Sequence, residues 1–170
     1  MYDDAESHKI KALFKNGRSL KFEKNEMILR AGDNPQGVYL IKAGLIKIYS
    51  LSKQGDEHVH HFFGPGDIFP MVWIFRGYVR NVFYEALEPT KLLVIPRDEL
   101  LDFVNKDTVI MRQMLDVVID RYRLYAGRID NLLYSDARER CAYRLLSLAN
   151  RFGVKTARAK KVVDMLITLF

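Results

Sequence analysis

VIMRQMLDVVIDRYRLYAGRIDNLL, residues 109–133, is the stretch that decides how the rest of the chain is interpreted. Apolar side chains recur in it at alternating steps of four and three, which is typical of a helix with one narrow apolar stripe. This stripe, the helix seam, consists of Met111, Leu115, Val118, Tyr122, Tyr125, Ile129 and Leu132. Tyrosines suit a half-wet boundary better than a dry core. We therefore predict a helix that pairs two copies of the chain, with one end of its seam near a ligand pocket. A core helix packed on its own domain is the alternative.

Composition and charge limit the function classes. The chain has 170 residues, 49% hydrophobic and 28% charged, which suits a globular protein with one good core. Residues 1–11 do not resemble a leader and no long apolar run appears, so we expect a cytoplasmic protein with no membrane partner. The single cysteine, Cys141, excludes a disulfide within one chain. We expect it to be buried on a helix.

The positive charge is concentrated near the end of the sequence. Residues 136–170 hold eight Arg and Lys against three Asp and Glu, which gives +5 of the total net charge of +6. A basic end on a nearly neutral body is typical of a protein that faces nucleic acid. A solvated helix face with a loop is the other reading of the same charges.

Short apolar or alternating runs separated by turn residues fill the sequence between Leu20 and Pro96. This pattern predicts an antiparallel barrel or sandwich. The runs are residues 27–29, 38–41, 45–51, 59–63, 68–69, 82–87 and 92–95. Gln54-Gly55-Asp56 indicates a hairpin between two of them.

Helices are predicted on both sides of this region. One covers residues 1–16, and a capped helix begins around Arg97. Asp136, with Glu139 three residues later, predicts a helix start, although Ser135 competes for the cap; this helix ends before Gly153. Residues 162–170 look like a strand, and this apolar ending suggests a chain cut where a further domain begins.

The turn and strand motifs together resemble a known family. The motifs are Gly32-Asp33, Val38-Tyr39-Leu40-Ile41-Lys42-Ala43-Gly44, Gly55-Asp56-Glu57, Phe63-Gly64-Pro65-Gly66-Asp67-Ile68-Phe69, Arg80-Asn81, Asn131-Leu132-Leu133 and Asp136…Arg140…Leu145-Leu146-Ser147-Leu148-Ala149. Their order is similar to that of the bacterial cyclic-AMP receptor/FNR (Crp/Fnr) regulators.

The resemblance implies an α+β fold: a double-stranded β-helix (jelly roll) of the cyclic-nucleotide-binding type, a long dimerisation helix, and the start of a winged-helix domain. The corresponding domains are residues 1–108, 109–135 and 136–170. The implied partners are a second copy of the chain, a small-molecule effector, and DNA. We expect the DNA-reading helix to follow Phe170, outside this sequence.

The resemblance also implies an effector site. It places Arg80 where the family has its phosphate-binding arginine and Asn81 in the adjacent polar slot. Met71 stands where the family has a carboxylate for the ribose hydroxyl, so we expect cyclic AMP to bind poorly. The predicted effector residues are Ile48, His60, Phe62, Met71, Val72, Arg80, Asn81 and Tyr125. Their aromatic and apolar character suits a planar or lipophilic effector. An exposed loop position is the alternative for Arg80.

The histidines of residues 58–61 leave other chemistries open. If 59–63 is a regular strand, His60 and Phe62 share one face, and His61 and Phe63 the other. Haem with His60 or His61 as axial ligand is one option, and ordinary core or surface histidines are another. A metal enzyme of the cupin type needs a later histidine that the sequence lacks, so we expect no enzyme. FNR-type oxygen sensing needs a group of cysteines that residues 1–16 lack.

Two functions fit these observations. The first is an effector-responsive transcription regulator in which the long helix positions two DNA-binding domains. The second is a stand-alone regulatory module of the cyclic-nucleotide-binding type, without DNA binding of its own. The basic end favours the first.

Overall fold

The computed structural model describes residues 4–153. They fall into two compact units, divided between Arg112 and Gln113 within the longest helix. The first unit contains helix α1 (Asp4–Leu13), a 3-10 turn (Phe14–Asn16), eight strands, and helices α2 (Met71–Arg76) and α3 (Arg97–Lys106). Helix α4 (Thr108–Tyr134) begins in the first unit, and the second unit holds the rest of α4 and α5 (Ala137–Phe152).

Two four-stranded sheets with antiparallel pairing make up the β-roll. One has the order β1-β8-β3-β6 and the other β2-β7-β4-β5. The strands are β1 (Arg18–Phe22), β2 (Met27–Leu29), β3 (Val38–Ala43), β4 (Ile46–Leu51), β5 (Glu57–Phe63), β6 (Ile68–Phe69), β7 (Phe83–Ala86) and β8 (Thr90–Ile95). This confirms the α+β prediction.

The core of the roll is built from alternate residues of both sheets, as one buried face per sheet requires. The cluster contains Leu29, Tyr39, Ile41, Ile46, Ile48, Phe63, Phe69, Val82, Tyr84, Leu92 and Val94. At its centre the ring of Phe69 stacks on Tyr39 at 5.1 Å and on Tyr84 at 5.2 Å between centroids. The interior is therefore apolar and aromatic.

Tight turns join the strands where the sequence predicted them. Gly44, between β3 and β4, has φ +94°, and a Cβ there would collide with Thr90. Gly66, between β5 and β6, has φ +91°. In that turn the Asp67 carboxylate accepts a hydrogen bond of 2.8 Å from the Gly64 N–H. Glycine is needed at Gly44 and Gly66 because other residues rarely adopt this backbone conformation.

Helix α5 begins with the predicted capping box. The Glu139 N–H donates to the Asp136 carboxylate and the Asp136 N–H donates to the Glu139 carboxylate, both at 2.9 Å. Asp136 is therefore the cap rather than Ser135, and the helix ends before Gly153 as predicted. The expectation for Cys141 was wrong, because this residue of α5 is exposed. The predicted strand at 162–170 lies outside the described residues.

Candidate functional site

The helix seam lies along α4 as the heptad pattern predicted, and most of it faces outward in the single chain. Six of its seven side chains are 40–71% exposed, and Tyr125 is half-buried. The six exposed side chains are Met111, Leu115, Val118, Tyr122, Ile129 and Leu132. Scattered exposed apolar residues are ordinary, whereas a continuous apolar stripe of this length marks an interaction surface.

The seam is wider than the sequence analysis recognised. Ile119 and Leu133 each follow a seam residue by one position, and they are 44% and 68% exposed. Both residues lie beside the seam, since Ile119 is four positions after Leu115 and Leu133 is four positions after Ile129. The apolar surface of α4 therefore extends to one flank of the seam.

Helix α5 covers a different side of α4 within the second unit. A Cβ on Gly127 would lie 2.8 Å from the Tyr143 hydroxyl oxygen of α5. Gly127 is two residues from Tyr125 and from Ile129, which places it about 200° around the helix from the seam. Packing of α5 against α4 thus leaves the seam uncovered within this unit.

Two arginines are partly desolvated in the second unit. Burial, and then the positive charge of Arg144, lower the pKa of Arg128, and burial lowers the pKa of Arg144. The Arg128 guanidinium lies 5.8 Å from the centre of the Tyr125 ring. Tyr125, a predicted effector residue and seam residue, therefore has a cation on its ring face.

The predicted effector residues of the second sheet lie on β4 and β5. Ile48 faces the core of the roll. Phe62 pairs with Lys47, so it points to the opposite face of the sheet from Ile48. His61 and Phe63 share the core face as expected, because they pair with Ile48 and Ile46. The alternation expected for 59–63 breaks at His60, where the register of β5 against β4 shifts.

Two histidines of β5 face the interior of the roll, His61 by regular alternation from Phe63 and His60 because of the register shift. His61 pairs with Ile48, and its ring meets the core residue Phe63 edge-on at 5.1 Å. The His60 Nε2 lies 2.9 Å from the Ser50 hydroxyl oxygen, which is on the same face of β4 as Ile48. A bulge is hard to detect from the sequence because the extra residue that it inserts into the strand can be of an ordinary strand-forming type. A haem-ligating role for either histidine stays a prediction.

The other predicted effector residues lie on the 71–81 segment and on α4. Met71 is the first residue of α2 and is buried, whereas its neighbour Val72 is 41% exposed. Arg80 and Asn81 lie in the loop between α2 and β7, where Arg80 is half-buried and Asn81 exposed. Tyr125 belongs to the second unit. The effector role of these residues stays a prediction.

Arg97 contacts the C-terminal end of helix α2, a helix that the sequence analysis did not predict. The Arg97 Nε–H donates to the carbonyl oxygens of Trp73 and Ile74 at 3.1 and 2.8 Å, and its guanidinium carbon lies 5.6 Å from the centre of the Trp73 ring. The Gly77 N–H donates to the Trp73 carbonyl at 2.9 Å. The end of α2 is thus capped by its own backbone and by the first residue of α3.

Residues 4–153 contain neither a metal-binding cluster nor a helix suited to a membrane. No group of three or more His, Cys, Asp or Glu side chains in this part of the chain is arranged to hold a metal ion. None of its helices is both long and apolar enough to cross a membrane.

Comparison with known families agrees with this geometry. The sequence profile of the cyclic nucleotide-binding domain family matches residues 19–107, which include all eight strands of the roll except the first residue of β1. The chain belongs to the cyclic nucleotide-binding domain family. The family match covers the roll, α2 and α3, and therefore most of the predicted effector residues.

Individual relatives confirm the resemblance to Crp/Fnr regulators. The chain is 26% identical to a CRP-like cAMP-activated global transcriptional regulator of Mycobacterium tuberculosis. The alignment covers 95% of this chain and 72% of that protein. The chain is 30% identical to the fumarate and nitrate reduction regulatory protein of Escherichia coli, and this alignment covers 80% of the chain and 54% of that protein. The catabolite activator protein of Thermus thermophilus shares the fold, with a TM-score of 0.64 and 23% identity over 88% of this chain and 69% of that one.

The chain belongs to the family, but one residue of its predicted effector site does not suit cyclic AMP. The 71–81 segment offers Arg80 as a cation, but the thioether of Met71 cannot accept a hydrogen bond as a carboxylate does. Met71 therefore does not supply the acceptor that the resemblance implies for a ribose hydroxyl, and the class of effector stays a prediction.

Proposed function

We propose that this chain is the sensor and dimerisation region of an effector-responsive, Crp/Fnr-type transcription regulator of the bacterial cytoplasm. The β-roll binds a small molecule, the helix seam pairs two copies, and the pair positions DNA-binding domains. The chain acts by binding rather than by catalysis. The names of the relatives, all transcriptional regulators, support this proposal.

The observation that carries the proposal is the exposed seam. Six apolar side chains along α4 are open to solvent in the single chain. At about 25 cal/mol per Å², covering them with the same stripe of a second copy yields a favourable hydrophobic free energy. Leu115 and Ile129 lie 14 residues apart and so occupy the same heptad position, and this regular recurrence suits a two-helix dimer seam.

Substitution of Ile129 by Glu tests the dimer. We expect the unaltered chain to have twice the monomer mass in light scattering and Ile129→Glu to be monomeric, because it buries a charge in the seam. Leu146→Glu is the matched control, since Leu146 is 62% exposed on α5, outside the seam. A monomeric unaltered chain, or a dimer that survives Ile129→Glu, contradicts the proposal.

The proposed effector is planar or lipophilic. The support comes from the buried Met71, from Ile48, and from His61 and Phe63 on the core side of β5. Mass spectrometry of small molecules that co-purify with the chain tests this, with Val72→Glu, at a predicted effector residue that is 41% exposed, as the variant that should lose them. A retained compound that is strongly polar would contradict the proposed effector class without affecting the dimer.

The proposed DNA partner rests on charge. Residues 136–170 carry a net +5, and α5 contributes Arg138, Arg140, Arg144 and Arg151 to it. A cation-rich end next to the dimer helix suits the phosphate backbone. The stand-alone regulatory module stays the second candidate, and DNA binding that depends on dimerisation would exclude it.

A further inference from the structure

We propose that Arg128 of α4 and Arg144 of α5 form a phosphate-binding site between the two helices. The ligand is a phosphate group, carried either by a free phosphate compound or by the backbone of a nucleic acid. The inference goes beyond the proposed function, because it assigns a binding site outside the β-roll. Both arginines lie in the second unit.

The first observation is that α4 and α5 approach each other closely beside these arginines. A Cβ on Gly127 would lie 2.8 Å from the hydroxyl oxygen of Tyr143. The absence of a side chain at Gly127 is therefore what leaves room for this approach, although glycine is unfavourable inside a helix. Gly127 and Tyr143 each immediately precede one of the two arginines. The contact thus brings the two arginine-bearing segments together.

The second observation is that two like charges meet at a half-buried position. Arg128 and Arg144 are both half-buried. Burial, and then the positive charge of Arg144, lower the pKa of Arg128, so the two guanidinium groups are within electrostatic reach of each other. Two cations held together where water screens them poorly repel each other. An anion that contacts both groups replaces this repulsion with attraction.

The third observation is that α5 carries a further cation beside Arg144. Arg140 precedes Arg144 by four residues, which places both on one face of the helix. Arg140 is half-buried, and its Nη1–H donates to the carbonyl oxygen of Ser135 at 2.8 Å. Like charges one turn apart destabilise a helix. The position one turn before Arg144 thus adds to the positive potential of the site.

The chemistry of arginine indicates the class of ligand. A guanidinium group is planar and presents several N–H donors in a fixed arrangement that matches the oxygens of a phosphate. Two such groups from different helices can donate to different oxygens of one phosphate, which carries more negative charge than a carboxylate at neutral pH. The Arg128 guanidinium carbon also lies 5.8 Å from the centre of the Tyr125 ring, and this cation–π contact helps to hold it in place.

Titration of the full 170-residue chain with inorganic phosphate, followed by NMR in a chloride buffer at constant ionic strength, tests the site. We expect shifts of the amide signals of Gly127 and Tyr143 and of the Nε–H signals of Arg128 and Arg144. Arg128→Gln and Arg144→Gln should each weaken phosphate binding by roughly tenfold or more, because each removes a charge-assisted contact. Arg144→Lys should keep part of the affinity, since it retains the charge but not the planar group.

The matched control is Arg138→Gln, which removes the same charge from an exposed position of α5. We expect it to change the phosphate affinity by less than about twofold, because salt screens an exposed charge at a distance. Circular dichroism checks that each variant is folded. If a Gln variant does not fold, the shifts of the unaltered chain and the affinity of Arg144→Lys decide the question.

A DNA duplex, added in a phosphate-free chloride buffer, distinguishes the two sources of the phosphate group. Shifts at Gly127 and Tyr143 that Arg128→Gln abolishes assign the site to the backbone of a nucleic acid. A duplex that leaves both signals unchanged assigns the site to a free phosphate compound. Both results support the site, provided that inorganic phosphate binds there.

Two results would overturn the proposal. Phosphate affinity that is unchanged in both Gln variants would show that these arginines do not hold the anion. An equal loss of affinity in Arg138→Gln would show that phosphate responds only to the net charge of α5. Light scattering on the same samples separates this proposal from the dimer: a dimer without the site contradicts this inference alone, and a monomer with the site contradicts the proposed function alone.

Discussion

Lys47 shows how the second sheet accommodates a charge at a buried position. Lys47 is 8% exposed, and its Nζ lies 2.7 Å from Oε2 of Glu57 on β5 and 3.4 Å from Oε2 of Glu85 on β7. The Nζ also lies 4.4 Å from the centre of the Tyr49 ring, which stacks on Phe83. A buried cation needs such partners. Lys47 therefore ties β4 to both of its neighbours.

Tyr49 should ionise late as a result of this environment. Burial, and then the charge and hydrogen bond of Glu85, raise the pKa of Tyr49 to about 12. A phenol with a raised pKa stabilises the fold below its ordinary value of 10.0, and this contribution is lost as the pH rises through 12. We expect Tyr49→Phe to reduce the last part of the tyrosinate absorbance titration. A last part that is unchanged in Tyr49→Phe would contradict this prediction.

Met71 is the residue that we expect to weaken the binding of cyclic AMP. A lost hydrogen bond to a charged partner corresponds to about tenfold or more in affinity. We therefore expect calorimetry to show weak cyclic-AMP binding by the unaltered chain and about tenfold tighter binding by Met71→Glu. Tyr78→Glu is the control, since Tyr78 is 65% exposed in the same segment and is not a predicted effector residue. Micromolar binding by the unaltered chain would refute the expectation.

At the scale of the element, regular patterns were predictable and interruptions were not. The heptad of α4 and the capping box of α5 were correct because each repeats or pairs residue types at fixed spacing. The register shift at His60 and the six-residue helix α2 were missed, since neither has a periodic signal. Strand β1 was missed because Arg18 and Ser19 obscure its apolar positions.

The same reasoning applies to the candidate site. Sequence motifs placed Arg80 and Asn81 together in one loop, as the structure shows. They could not show that Phe62 faces away from Ile48, because that depends on the register between strands. Nor could they show the contact of Arg97 with α2, which joins residues more than 20 positions apart.

The start of α4 is an element whose stability should depend on pH. The hydrogen bond from Lys9, followed by those from the Ile110 and Val109 N–H groups, lowers the pKa of Asp107. A carboxyl with a lowered pKa stabilises the fold above its ordinary value of 3.8, and the contribution is lost as the pH falls through the lower folded value.

Substitution of Lys9 measures this contribution. We expect Lys9→Met to melt slightly below the unaltered chain at neutral pH, and the difference to vanish as the pH falls below 3.8. Lys11→Met is the control, since Lys11 is exposed on the same helix. A difference that persists at low pH would show that Lys9 stabilises the chain by packing and not through Asp107.

At the scale of the whole molecule, the seam and the roll have different relationships to solvent. The core of the roll is complete within one chain, with Ile46, Phe69 and Leu92 fully buried. The seam of α4 is incomplete, because its apolar side chains remain exposed. A chain built in this way should fold its first unit alone and gain further stability from association.

This difference predicts melting that depends on protein concentration. If two chains pair through the seam, mass action stabilises the dimer, and a tenfold increase in concentration should raise the melting temperature by roughly 2–4 °C. In Ile129→Glu the dependence should disappear, whereas Leu146→Glu should keep it. Because unfolding of a monomer does not depend on concentration, an unaltered chain with a constant melting temperature would contradict a dimer that persists until its subunits unfold.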